Sequence, residues 1–170
     1  MTQAPERDTW WVANRAAPAT YVYFTYVQSS LGDMDAATVD RDWETVVAAA
    51  AEAVTSIGYC LLVLRGLEGN TYDGEVAIHL ADARPGDPMA EVESTRRSLP
   101  EAVGASREQA ETAHAAVRRL TDLVVAELPS ALPTVRASDG FFPGVRIAKD
   151  YENLRKRLGL PPLDWIRWLH

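Results

Sequence analysis

The feature that most limits what this chain can fold into is an apolar stripe in its first half. Trp43, Val47, Ala50, Val54, Ile57, Leu61 and Leu64 recur at alternating steps of four and three residues. That spacing sets all seven side chains along one side of a helix, and no strand brings them to a common face. The pattern predicts one long, central helix over residues 40–65. Asp40, Asp42 and Glu44 stand in its expected first turn, where carboxylates favour the positive end of the helix dipole. Gly66 and Gly69 stand where it would stop. Gly58 falls inside it, at a cost of about 1 kcal/mol relative to alanine. A helix ending there, with a strand over residues 59–65, is the rival reading; the unbroken period through Leu64 decides for the helix.

A second helix is expected over residues 107–128. Ser106 and Gln109 have the spacing of a capping box, and Ala113, Val117, Leu120, Val124 and Leu128 form its apolar side, with Arg118, Arg119 and Asp122 opposite or flanking. Asp87-Pro88 opens a shorter helix to Arg97, with Met89 and Val92 inward. Residues 19–31 are rich in tyrosine and valine, which favours a strand by propensity. Pro18 and the helical spacing of Phe24, Val27 and Leu31 favour a helix, and a helix is the reading adopted. Residues 72–83 fit either element. Residues 1–17 read as a loosely ordered lead-in, anchored by Trp10 and Trp11. Residues 134–170 read as two short helices: Ile147, Tyr151, Leu154 and Leu158 face inward in the first, and Pro161-Pro162 separates the second. The expected fold is all-α, a single domain over 1–170 built as an irregular bundle of about four to six helices.

Charge narrows the function classes. The net charge of −7 argues against a general grip on DNA or on an anionic membrane. It is unevenly spread: residues 134–170 carry 7 basic and 4 acidic groups, and the rest of the chain 10 basic and 20 acidic. An acidic body with a mildly basic tail suits pairing of two copies, but one solvated surface explains it as well and is the reading preferred. Of the 17 basic residues only Lys149 and Lys156 are lysines, and the arginines are scattered rather than clustered. The N-terminus lacks the layout of a secretory signal. The apolar stretch 45–64 is long enough for a membrane span, but Glu52 and its alanines favour a buried helix instead. A cytoplasmic location follows as the expectation.

Reactive groups are few. Cys60, the lone cysteine, lies in the most apolar stretch and reads as a buried structural thiol. Asp33, Asp35, Asp40, Asp42 and Glu44 invite a calcium reading. An EF-hand loop counted from Asp33 fails at Ala37 and at Thr38, where the turn needs glycine; helix-start acids explain the pattern better. His79, His114 and His170 lack zinc spacing, and Glu111-x-x-His114 is half of a di-metal bundle motif. No metal and no cofactor is expected.

Arg107 and His114, with six residues between them at the start of a long helix, resemble the Arg-x(4–6)-His signature of the HEPN superfamily, helical proteins that include dimeric endoribonucleases. The resemblance covers this one motif. It implies proton transfer assisted by His114 and phosphate charge stabilised by Arg107, with RNA as substrate and the pair completed across a dimer. Glu108 departs from the Asn, Asp or His that often follows the arginine. The aromatic residues Phe141, Phe142, Trp165 and Trp168 crowd the basic tail; docked on their own chain they complete the core, the reading preferred, and exposed they form a candidate partner-binding set, since tryptophan and arginine are frequent in binding hot spots. Three functions follow as expectations. The first is a non-catalytic protein that associates with itself, as a homodimer, or with a protein partner. The second is the ribonuclease. The third is a small-molecule binder with the tyrosine-rich 19–31 segment as a pocket wall.

Overall fold

The computed structural model describes Ala19, residues 22–65 and 84–127, and Lys156. The expected lead-in, the 72–83 segment and the two C-terminal helices lie outside the described residues. What is described is mainly α, with no strand among the described residues.

The tyrosine-rich segment is helical, and its strand propensity loses to context. It begins with a π-helical stretch, Tyr23–Val27, and passes without a break into α1, Gln28–Asp40. There the wider π turn brings the Gln28 N–H to the Tyr23 carbonyl, five residues back. The same spacing lets the Gln28 amide donate to the Tyr23 hydroxyl at 2.8 Å. Val22, Tyr23, Val27, Leu31, Met34 and Ala37 are buried on one side. Asp33 and Asp35 therefore stand in the middle of a helix, correcting their reading as helix-start acids.

The long helix begins three residues later than expected. α2 is Trp43–Arg65, 23 residues and about 34 Å at 1.5 Å per residue. Asp40 belongs to α1 instead, because Arg41 takes a left-handed conformation, φ 59°. Around it the Asp42 N–H donates to the Ala37 carbonyl at 2.9 Å and the Arg41 N–H to that of Thr38 at 3.3 Å, closing α1 with a Schellman pattern. Asp42 then starts α2, accepting from the Thr45 N–H at 3.1 Å and from its hydroxyl at 2.6 Å. These bonds hold the Asp42 carboxyl below the usual carboxylate range.

α2 runs unbroken through Gly58, so the rival strand is not formed. Six of the seven stripe residues are buried, and Trp43 is half-buried at the helix start. From Ser56 to Leu64 every residue is buried, so the stripe widens to the full circumference. A helix apolar all round must be covered all round. By length and composition α2 could cross a membrane, with mean hydropathy 1.9, yet 78% of that window is buried inside the chain.

α3, Pro88–Ser98, opens as read, with the Asp87 carboxylate accepting from the Met89 N–H at 2.8 Å and Met89 and Val92 buried. The same carboxylate pairs with Arg65, the last residue of α2, and that guanidinium lowers its pKa. Within α3, Glu93 is nearly buried beneath Arg96 and Arg97, at 2.7 and 2.5 Å. α4, Arg107–Glu127, carries the capping box: Ser106 N–H donates to Gln109 Oε1 at 2.8 Å and Gln109 N–H to Ser106 Oγ at 3.3 Å. Ala113, Val117, Leu120 and Val124 are buried, and α1, α3 and α4 all pack on α2.

Two stability outcomes follow. Val54 is fully buried, so Val54→Asp leaves an unpaired charge in the core and removes more than about 4 kcal/mol in urea denaturation, enough to abolish a cooperative transition. Arg41→Gly relieves the left-handed strain and raises the unfolding free energy by about 1 kcal/mol, read as a higher urea midpoint.

Candidate functional site

α4 shows two stripes side by side. Ala110, Ala113, Val117, Leu120 and Val124 face the core, and Arg107, Glu111, His114 and Arg118, again at steps of four, three and four, form a polar row beside them. α1 supplies the counter-charge. Asp35 Oδ1 lies 2.9 Å from His114 Nε2, and both Asp35 oxygens accept from Arg118 Nη2, at 2.8 and 2.6 Å. The two helices pack along α2, and these three side chains bridge between them.

The electrostatics fit that geometry. Burial raises the Asp35 pKa, but hydrogen bonds and charge from Arg118 and His114 outweigh it and hold the carboxyl below its ordinary value. His114 is half-buried, with 27% of its side chain exposed, whereas Asp35 is 53% exposed. Tyr23 lies close enough for Arg118 and Asp122 to act on it; burial raises its hydroxyl pKa against the opposing Gln28 bond. Cys60 is buried, its thiol donating to the Ala19 carbonyl at 3.2 Å, and burial pushes its pKa up, away from a nucleophilic thiolate.

The structure gives Arg107 and His114 different partners. Arg107 is exposed and pairs with Glu111 on its own helix, Nε to Oε1 2.7 Å, while His114 turns to Asp35 on α1. Glu111, half of the Glu-x-x-His motif, is thus engaged by an arginine. Among the described residues no group of three or more His, Cys, Asp or Glu side chains is placed to hold a metal ion. Phe141, Phe142, Trp165 and Trp168 lie outside the described residues, as does His79. Val22, Tyr23 and Val27, expected in a pocket wall, are buried in the core.

Sequence reading missed Asp35 as the partner of His114. The helix-side half was legible, because His114 and Arg118 are four apart beside an apolar stripe. The carboxylate lies 79 residues away from His114 in sequence, and no local pattern points to it. A second feature also escaped: Val39 and Val103 are 82% and 86% exposed, the most open large apolar side chains among the described residues. Val39 lies in the last turn of α1; Val103 precedes Gly104, whose N–H donates to Glu44 Oε1 at 2.8 Å and ties the α3–α4 connection to the start of α2.

Asp35 has a depressed folded-state pKa, so its stabilising contribution is present above the unfolded carboxyl pKa and is lost as pH falls through the folded one. Asp35→Asn is expected to lower stability at pH 7 by about 0.5–1 kcal/mol, the scale of a solvent-screened pair. The gap between the two proteins in urea denaturation should close below about pH 4. Comparison of the chain with protein families, with curated proteins and with solved structures returns no match.

Proposed function

We propose that this chain works without catalysis, by association, first with a second copy of itself and otherwise with a protein partner. The observation that carries this reading is the exposure of Val39 and Val103, 82% and 86%. Covering such a side chain on binding gains about its transfer free energy. Val39 lies in the last turn of α1, closed by the turn at Arg41 and Asp42, and Val103 precedes Gly104, which Glu44 holds. A pinned surface loses little freedom on binding, which favours association. Two further observations lend support: Cys60 is buried with its thiol bonded to the Ala19 carbonyl, and Arg107 pairs with Glu111.

One observation favours the ribonuclease as a second reading. Arg107 and His114 stand two turns apart in the same row of α4, and a carboxylate orients the imidazole, as a general base requires. Native mass measured from about 1 to 100 μM tests the first reading, alongside an RNA-cleavage assay. A concentration-dependent dimer with no cleavage is expected. A protein that stays monomeric and cleaves RNA, with cleavage lost in a folded His114→Ala variant, replaces association with the ribonuclease.

A further inference from the structure

We draw no further inference here: the strongest candidate, the Asp35–His114–Arg118 cluster that bridges α1 and α4, belongs to the site already described and is a surface bridge whose effect on stability is given there.

Discussion

The burial of α2 is the constraint on which the rest of the structure depends. Between Ser56 and Leu64 no side of this helix meets water, so neighbours must be supplied in every direction. α1 and the π-helical stretch, α3 and α4 all pack on it. Burial of apolar surface at roughly 25 cal/mol per Å² makes this the dominant favourable contribution. The polar contacts then decide how the covering helices are oriented. Arg65 reaches the Asp87 cap of α3, Glu44 reaches Gly104 before α4, and Asp35 joins α1 to His114 and Arg118. Each of these ties links segments far apart in sequence, and each lies near the surface, where its net contribution is small. They select an arrangement that the core has already made favourable.

Elements whose determinants are local were legible in the sequence. The Ser106–Gln109 box, the Asp87-Pro88 opening and the α2 stripe all appear where spacing placed them, because caps and periodicity act within a few residues. The start of α2 was misplaced for a physical reason. Asp40 and Asp42 look alike as helix-start acids, but a left-handed Arg41 separates them, and arginine carries no signal for that conformation. The π-helical stretch was equally invisible, since its residues favour a strand by propensity and a helix by spacing. Full-circumference burial from Ser56 onward depends on what surrounds the helix, which a single stripe does not encode.

The candidate sites divide in the same way. The Arg107–His114 spacing is local and was visible, but the partners that determine its chemistry, Glu111 and Asp35, draw the two side chains in different directions. The exposure of Val39 and Val103 depends on the fold, and no local pattern points to it.

Native-state hydrogen exchange along Trp43–Arg65 tests the central position of α2 most directly. Amides between Ser56 and Leu64 should be the slowest in the chain and should exchange only through global unfolding, with protection equal to the stability measured in urea. Amides at Thr45, Ala48 and Ala51, on the exposed side, should open at lower cost. Exchange of the 56–64 amides as fast as those of α3, by local opening at Gly58, would contradict the account of α2 as the helix on which all others are built.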